Sequence, residues 1–422
     1  MVQELRIALR NAGKINPREI DDYIREGGYE ALEKARNADP KELMTEVERS
    51  GKLRGRGGAG FNTGLKWRSA AEAKNDMKYV ICNADEGEPG TYKDRVILEN
   101  DPHTVLEGML ICANVIGATE AYIYCRGEYS EIIDLLRHAI RQAEEKGLTG
   151  NVRLQVVSGA GSYICGEETA LIESLEGKRG EPRLKPPFPT VSGFRGKPTV
   201  VNNVETFASI PMIIVKGADW FKGIGAPKYP GTKVFALSGD VVNRTYAELP
   251  TNTTLRDIIN GIGGGVPKGR KIKAVQVGGS SCGFLTDAML DTQADFDSLA
   301  KMGASLGSGS VLVIDDSHNI VDLLPGIAEF FAHESCGKCV PCREGSMRMA
   351  ELIAGIAEGT GTEEDLALVR KLADYMRRSC FCPLGQSATT AVASALEHFE
   401  EDFRLKLRNE EGLAHVEAQR HN

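Results

Sequence analysis

The feature that most restricts the fold of this chain is the repeated order of strand, loop and helix between residues 51 and 218. Short apolar segments typical of buried strands lie at Tyr79–Asn83, Ala121–Cys125, Val152–Val157 and Val200-Val201. Each is followed by a polar or glycine-containing loop and then by a segment with helical periodicity. This order predicts a parallel sheet covered by helices, in which ligands bind at the carboxyl ends of the strands.

The rest of the chain divides into further domains around this one. Residues 1–50 are predicted to form a helical collar, with Pro40 at the first position of one helix. A linker rich in Gly, Pro and Lys is predicted at 217–232, and a small α+β domain at 232–318. Residues 319–406 show four helical segments, the last of them at Ser387–Arg404, and predict a helical bundle, followed by a polar tail at 407–422. Within the first domain, Thr104 and Glu107 have the spacing of a capping box.

Charge and hydropathy exclude several classes of function. The 422 residues carry a net charge of −8, which argues against non-specific binding of nucleic acid. No apolar segment reaches the roughly 20 residues that a membrane-spanning helix needs. The N-terminal residues show no apolar core typical of a signal peptide. We therefore expect a cytoplasmic protein with no direct membrane insertion, one that reaches a membrane only through partner subunits.

A glycine-rich segment, Leu53–Trp67, predicts a phosphate site. It has glycines at 55, 57, 58, 60 and 64, with Arg54, Arg56 and Lys66 beside them, and it leads into a predicted helix. Exposed backbone N–H groups, cations and a helix N-terminus together suit an anion. The segment lacks the ending of a Walker loop and the spacing of the usual dinucleotide fingerprint. The alternative is a mobile surface loop.

Five of the ten cysteines lie in the last quarter of the chain. Cys336, Cys339 and Cys342 are spaced two residues apart, which can present three thiolates to one iron–sulfur cubane. The fourth ligand would be Cys380 or Cys382, and the turn expected at Cys382-Pro383 favours Cys382. Structural zinc is the alternative, although zinc sites usually pair two Cys-x-x-Cys motifs.

Four polar motifs follow strands or rigid segments of the predicted sheet domain. Each has an ordinary structural explanation: a solvated acidic turn, charges favoured by a helix dipole, a rigid linker, and a helix N-cap. Together, at strand ends of one sheet, they are expected to form one pocket. The acidic motif would accept hydrogen bonds from a ribityl or ribose chain. The motifs are Asn83-Ala-Asp85-Glu86-Gly-Glu88, Tyr163-Ile-Cys-Gly166-Glu167-Glu168, Lys185-Pro-Pro-Phe188 and Asn202-Asn203.

These motifs, in this order, resemble one known family over residues 20–405. The family is the NADH-binding flavoprotein subunit of respiratory complex I and of related NAD-linked hydrogenases and formate dehydrogenases. The matching segments are R-G-R-G-G-A-G-F (54–61), N-A-D-E-G-E-P-G (83–90), Y-I-C-G-E-E-T-A-L (163–171), P-R-L-K-P-P (182–187), V-V-N-N-V-E-T (200–206) and C-G-K-C-V-P-C-R (336–343).

The resemblance implies cofactors, their ligands and a fold for each domain. It implies a Rossmann-like FMN- and NADH-binding sheet, a ubiquitin-like α+β domain and a four-helix bundle with a [4Fe–4S] cluster. FMN would be bound by Gly55, Gly57, Lys66, Asn83, Asp85, Glu86, Tyr163, Gly166, Glu167, Asn202, Asn203 and Thr206. The substrate NAD(H) would be contacted by Phe61, Glu88, Glu168, Lys185 and Phe188. The cluster would be held by Cys336, Cys339, Cys342 and Cys382.

The implied function is an NADH dehydrogenase subunit that exchanges hydride between NADH or NAD+ and FMN, with no catalytic side chain required. Single electrons would then pass to the [4Fe–4S] cluster, in a complex of the complex I, hydrogenase or formate dehydrogenase type, including those that bifurcate electrons. One cluster cannot carry electrons far, so we expect two partners: a small thioredoxin-like [2Fe–2S] subunit and a larger iron–sulfur subunit. The alternative function is a non-redox metal-binding scaffold. Ser69 stands where some relatives have an aromatic residue against adenine, and Cys380 has no assigned role.

Overall fold

A four-stranded parallel sheet forms the centre of the first half of the chain. The computed structural model describes residues 2–50 and 53–408. The strand order is β3-β2-β1-β4, with all neighbours parallel, and this confirms the predicted sheet. The strands are β1 (Tyr79–Ala84), β2 (Glu120–Cys125), β3 (Arg153–Ser158) and β4 (Thr199–Asn203). Asn83, at the end of β1, is in register with Asn203 at the end of β4, so the carboxyl ends of the strands lie at one edge.

Helices cover this sheet and supply most of its core. Helix α6 is buried along nearly its whole length and packs on α10 and α2, as expected of a helix that is apolar on all sides. Short 3₁₀ turns lie at Tyr163–Gly166 and Phe194–Gly196. The helices are α1 (Ile20–Arg25), α2 (Glu30–Asn37), α3 (Pro40–Arg49), α4 (Thr63–Glu72), α5 (Lys93–Asn100), α6 (Pro102–Ile116), α7 (Ser130–Glu145), α8 (Glu168–Leu175), α9 (Pro189–Ser192), α10 (Val204–Lys216) and α11 (Ala218–Lys222).

The predicted capping box at Thr104 and Glu107 is wrong. Pro102 occupies the first turn of α6, so Asp101 is the N-cap and its carboxylate accepts a hydrogen bond from Thr104 N at 3.0 Å. The Glu107 carboxylate is buried instead, and it accepts from Tyr23 Oη at 2.5 Å and from Leu32 N at 3.0 Å. Glu107 therefore anchors the N-terminal helices on α6.

A five-stranded mixed sheet follows, in the order β10-β9-β11-β7-β8. Strands β7 and β11 are parallel, and the other neighbours are antiparallel. The segment 217–232, predicted as a linker, contains α11 and a short hairpin whose Tyr229 is buried. The elements are β5 (Gly225–Ala226), β6 (Tyr229–Pro230), β7 (Thr232–Gly239), β8 (Thr245–Pro250), α12 (Leu255–Asp257), β9 (Ile272–Val277), β10 (Phe284–Thr286), α13 (Phe296–Lys301) and β11 (Ser310–Asp315).

The last part of the described chain is helical, as predicted. The segment predicted as one helix over Ser387–Arg404 is instead divided among α17, α18 and α19. Most of the predicted tail, 409–422, lies outside the described residues. Across the described ranges, none of the helices combines the length and the apolar character that crossing a bilayer requires. The helices are α14 (Leu324–Glu334), α15 (Val340–Ala357), α16 (Glu363–Ser379), α17 (Pro383–Ser387), α18 (Thr390–His398) and α19 (Glu400–Arg404).

Candidate functional site

Three asparagines mark the carboxyl edge of the parallel sheet. Asn83 is the penultimate residue of β1, and its Nδ2 donates to Gly166 O at 2.9 Å, which ties the strand to the turn before α8. Asn202, in β4, accepts a hydrogen bond from Trp67 Nε1 at 2.9 Å. Asn203 is the N-cap of α10. The structure thus brings the motifs around 83, 163 and 202 to one edge, as the sheet topology predicted.

The glycine-rich loop is closed by a backbone hydrogen bond and lies over the carboxyl edge of the parallel sheet. Gly55 N donates to Phe61 O at 2.8 Å, and the first turn of α4 follows directly, with Asn62 as its N-cap. Thr206 Oγ1 accepts from the backbone N of residue 56 at 2.9 Å, which fixes the loop to α10. A Cβ added at Gly57 would lie 3.0 Å from the Cβ of Asn203. The loop is therefore held in place, which contradicts the alternative of a mobile surface loop.

Two predicted FMN glycines have no steric reason to be glycine in the folded chain. Among the described residues, the nearest atom to a Cβ added at Gly166 would be Asp85 O at 3.6 Å, and at Gly55 it would be Phe61 O at 3.6 Å. In contrast, a Cβ at Gly64 would lie 2.8 Å from the Cα of Glu48. Free space beside the backbone at 55 and 166 suits a ligand seated against it. The residues present therefore fit an FMN in this pocket.

The two acidic residues after β1 have different surroundings. Burial raises the pKa of Asp85 to about 7, and its Oδ2 finds no hydrogen-bond partner among the residues described. A buried acceptor without a donor suits the hydroxyl groups of a bound ligand. The Glu86 carboxylate is already engaged, since it accepts from Asp94 N at 2.8 Å and from Arg95 N at 3.0 Å at the start of α5.

Two lysines and two glutamates form an ion cluster beside the glycine-rich loop. Lys66 Nζ donates to Glu168 Oε2 and to Val201 O, each at 2.9 Å. Lys185 Nζ donates to Glu167 Oε1 at 2.8 Å and lies 3.4 Å from Glu168 Oε1. Burial opposes the charge on Glu168, but the two ammonium groups outweigh it and lower the pKa of Glu168. Four groups predicted to bind FMN or NADH thus meet at one point.

Exposed apolar side chains lie near the two lysines of this ion cluster in the chain. Phe61 is 57% exposed and Phe188 is 55% exposed, and Lys66 Nζ lies 5.9 Å from the centre of the Phe61 ring. Leu65 and Val191, also exposed, line an open cavity together with Ser69. Exposed apolar side chains next to charged groups suit a ligand with flat rings and a charged backbone. Leu65 and Val191 were missed from the sequence, because exposure of a single apolar residue leaves no motif.

The predicted NADH contact Glu88 lies deeper, against Tyr163 and the second sheet. Tyr163 Oη donates to Glu88 Oε2 at 2.6 Å, and Ser281 donates to both carboxylate oxygens at 3.0 Å. Burial raises the pKa of Glu88, and these donors offset only part of the rise. The tyrosine backbone is also tied to the helical region, since Tyr163 N donates to Glu334 Oε2 at 2.9 Å. Ser281 was missed because it comes from a distant loop with no motif.

The four predicted cluster cysteines line one small cavity. Cys336 and Cys339 lie between α14 and α15, and Cys342 lies in the first turn of α15. Cys382 is the N-cap of α17, where Pro383 starts the helix. These four residues line the cavity together with Ile164, Pro182, Ser335, Lys338, Phe381 and Leu384.

The remaining cysteine of this region is turned toward a neighbour. Interaction between the Cys380 and Cys342 thiols lowers the pKa of Cys342 to about 6 and raises the pKa of Cys380. In the described part of the chain, no three cysteine sulfurs lie within 4.8 Å of one another. Tetrahedral zinc, with Zn–S of about 2.3 Å, needs sulfurs about 3.8 Å apart. In a cubane each sulfur instead binds a different iron, so the sulfurs need not lie that close together.

Two family models match this chain over the regions just described. The Nuo51 FMN-binding domain matches residues 47–212, which include the glycine-rich loop and the parallel sheet. The iron–sulfur binding region of NADH-ubiquinone oxidoreductase F matches residues 322–406, which include all four cavity cysteines.

Individual relatives show the same relationship. The NADP-reducing hydrogenase subunit HndC of Solidesulfovibrio fructosivorans is 47% identical, over 98% of this chain and 86% of its own length. The F 2 subunit of NADH-quinone oxidoreductase of Rhizobium meliloti is 45% identical, over 98% of both chains. A crystal structure of an NAD+-reducing [NiFe]-hydrogenase in the H2-reduced state superposes with a TM-score of 0.85 at 36% identity, covering 97% of this chain and 68% of that one. The chain therefore belongs to the family of NADH-quinone oxidoreductase F subunits, the electron-input subunits with an FMN-binding domain and a [4Fe–4S] region.

Proposed function

We propose that the pocket at the sheet edge exchanges hydride between NAD(H) and FMN, and that electrons pass between this pocket and a [4Fe–4S] cluster on Cys336, Cys339, Cys342 and Cys382. The observation that carries the proposal is the position of two consecutive residues. Tyr163 bonds to Glu88 in the pocket, and Ile164 lines the cysteine cavity. The residues that contact the proposed pocket and the proposed cluster site are therefore adjacent in the chain.

The chain binds and orients the flavin but supplies no acid or base to the reaction. FMN, when bound, supplies a centre that accepts or donates hydride and exchanges electrons singly. The backbone at Gly55 and Gly166 leaves room for it, and Lys66 provides a cation for its phosphate. The unpartnered Asp85 oxygen accepts from its hydroxyl chain. The other FMN residues inferred from the family resemblance complete the site.

The nicotinamide nucleotide is proposed to lie along the exposed apolar side chains. Phe61 and Phe188 offer ring faces, Glu88 and Lys185 contact the nucleotide, and Glu168 accepts from ribose hydroxyls. A carboxylate at 168 repels an additional phosphate, so we propose a preference for NADH over NADPH. HndC, whose name describes an NADP-reducing hydrogenase, makes this preference worth measuring directly. Equal kcat/KM values for the two nucleotides would contradict it.

We assign a structural class to each domain on the same basis. Residues 51–218 are proposed as a Rossmann-like unit and 232–318 as a ubiquitin-like unit, in which a mixed sheet packs on α12 and α13. Residues 319–406 are proposed as the four-helix bundle that carries the cluster.

The parent complex is proposed to contain at least two further redox subunits. Relatives are named as subunits of NADH-quinone oxidoreductase or of hydrogenase, which supports a multi-subunit setting. The partners proposed are a small thioredoxin-like [2Fe–2S] protein and a larger iron–sulfur subunit, in a complex I, hydrogenase or formate dehydrogenase assembly. The location proposed is the cytoplasm, with attachment to a membrane only through partners.

Reconstitution tests the proposal directly. The full chain, reconstituted anaerobically with FMN, iron and sulfide, is expected to bind one FMN and one cluster. The flavin should then absorb at about 450 nm and the iron–sulfur cluster at about 400 nm. Addition of NADH should bleach the flavin band. A colourless protein that binds zinc would instead support a non-redox metal-binding scaffold.

A further inference from the structure

A group of buried charges joins the two sheets directly behind Asn203. We define this bridging cluster as Lys93 and Asp94 at the start of α5, Glu205 at the start of α10, and Lys233 in β7. All four side chains are at least 95% buried. Lys93 Nζ lies 2.6 Å from Asp94 Oδ1 and 3.1 Å from Glu205 Oε2, and Lys233 Nζ lies 2.5 Å from the same Glu205 oxygen. Two cations and two anions therefore form one neutral group.

The bridging cluster determines how the Asn203 amide is oriented. Lys93 Nζ donates to Asn203 Oδ1 at 3.1 Å, and Glu205 N donates to the same oxygen at 3.0 Å. Asn203 Nδ2 donates to Asp94 Oδ2 at 2.6 Å. Because donors surround the oxygen and an anionic acceptor holds the nitrogen, the amide cannot rotate by 180° without losing all three bonds.

The second sheet holds the bridging cluster from the side opposite Asn203. Glu205 receives both Lys233 Nζ and Val234 N, the latter at 2.8 Å, so the start of α10 is bonded to β7. Within the described chain, the Lys233 ammonium bonds only to Glu205 and to Val234 O. It therefore acts on the pocket only through the bridging cluster.

The glycine-rich loop depends on the same anchor. Arg56 is buried, and its Nη2 donates to Pro230 O at 3.0 Å while its guanidinium lies 5.0 Å from the centre of the Tyr229 ring. Tyr229 and Pro230 form β6, which leads into β7. Gly57, the residue after Arg56, packs on the Cβ of Asn203. Asn203 and the glycine-rich loop, which form two sides of the proposed pocket, are thus both attached to the second sheet.

We propose that the bridging cluster is a positioning device for FMN, through which the second sheet holds Asn203 and the glycine-rich loop in the geometry that the cofactor requires. The inference rests on the proposed function, in which Asn203 contacts FMN. It assigns Lys93, Asp94, Glu205 and Lys233 as positioning residues, since their buried side chains act through Asn203 and the start of α10. The mixed sheet thereby takes part in retaining the flavin.

The test must separate positioning from loss of a buried charge. Removing one member of a buried ion pair leaves an uncompensated charge, whereas removing both can be nearly neutral. We therefore compare Lys233→Met with the charge-balanced pair Lys233→Met/Glu205→Gln. The matched control is Glu107→Gln, which alters an equally buried carboxylate between α6 and the N-terminal helices. Asn203→Ala serves as the reference for direct loss of an FMN contact.

The dissociation constant of FMN is measured by fluorescence titration of the full-length chain carrying its iron–sulfur cluster. Both bridging-cluster variants are expected to bind FMN about tenfold more weakly, while Glu107→Gln stays within about twofold. Iron content and the spectrum of the iron–sulfur cluster should be unchanged. At saturating FMN, kcat and the KM for NADH should return to the values of the unaltered protein, a recovery that general instability would not produce.

Three results would overturn the proposal. FMN affinity unchanged in both bridging-cluster variants, but weakened by Asn203→Ala, would remove the positioning role and leave the proposed pocket intact. Equal weakening by Glu107→Gln would show that FMN affinity follows overall stability. Unchanged affinity in Asn203→Ala would remove both the positioning role and the proposed contact of Asn203 with FMN.

Discussion

Gly166→Ala is the substitution that most sharply separates a ligand pocket from a structural turn. In the folded chain, the added methyl group would have its nearest described neighbour at 3.6 Å, an ordinary van der Waals contact. The backbone there is not in the left-handed region that favours glycine. Alanine should therefore stabilise the FMN-free chain by about 0.4–1 kcal/mol, because it restricts the unfolded state.

The effect on FMN binding should have the opposite sign. If the flavin lies against the residue 166 backbone, the methyl group enters space that the ligand fills. Overpacking of this kind costs about 1–3 kcal/mol, which corresponds to FMN affinity weaker by about 5- to 150-fold. No other part of the pocket needs to move for this loss to occur.

Two measurements on one variant are enough to test this reasoning. Chemical denaturation of the FMN-free chain gives its stability, and fluorescence titration gives its FMN dissociation constant. Gly326→Ala, in α14 with open space around it, is the matched control and should leave FMN affinity unchanged. Unchanged FMN affinity in Gly166→Ala would place the flavin elsewhere, and a less stable FMN-free chain would mean that glycine is required by the fold.

Three further predictions concern the iron–sulfur cluster, the nucleotide and pH. Cys382→Ser should lose the [4Fe–4S] signal in electron paramagnetic resonance, whereas Cys380→Ser should keep it. The reverse result would make Cys380 the fourth ligand in place of Cys382. Glu168→Gln should raise the NADPH to NADH ratio of kcat/KM by roughly tenfold, because a repelling charge is removed, and an unchanged ratio would count against this role. Burial raises the pKa of Asp85 to about 7, while ligand hydroxyls favour its charged form. FMN affinity should therefore fall by up to about tenfold per unit as pH drops below 7, and Asp85→Asn should flatten that profile.

The parallel sheet could be predicted because its two central strands, β1 and β2, are almost completely buried and largely apolar. The segments Tyr79–Ala84 and Glu120–Cys125 agree with the prediction to within one residue for that reason. Helix α5 was missed, since it is short and begins with Lys93 and Asp94, which look like loop residues until their buried partners are known. Local pattern thus found the central buried strands and missed α5, whose first turn is buried through charge.

The two local errors have different causes. A capping box at Thr104 ignored Pro102, which favours the first turn of a helix and moves the N-cap to Asp101. The segment 217–232 looked like a linker because of its glycines and prolines. Tertiary packing of Tyr229 under Arg54 and Arg56 orders it instead.

The grouping of side chains at the site could be predicted where each ligand-binding residue belongs to a motif that is visible in the sequence. The four cavity cysteines and the group of Lys66, Glu168 and Lys185 are of this kind. Ser281 and Lys233 could not be found, because each comes from the second sheet and meets its partner only through the fold. Their chemistry is ordinary, and only their position gives them a role.

The most direct measurement of the central claim is electron exchange between NAD(H) and the iron–sulfur cluster in the purified full-length chain, followed by electron paramagnetic resonance with and without FMN. We expect NADH to reduce the oxidised cluster, or NAD+ to oxidise the reduced one, whichever the potentials favour, and only when FMN is bound. Exchange at the same rate without FMN, or no exchange in either direction with FMN bound, would contradict a pocket and a cluster site joined through Tyr163 and Ile164.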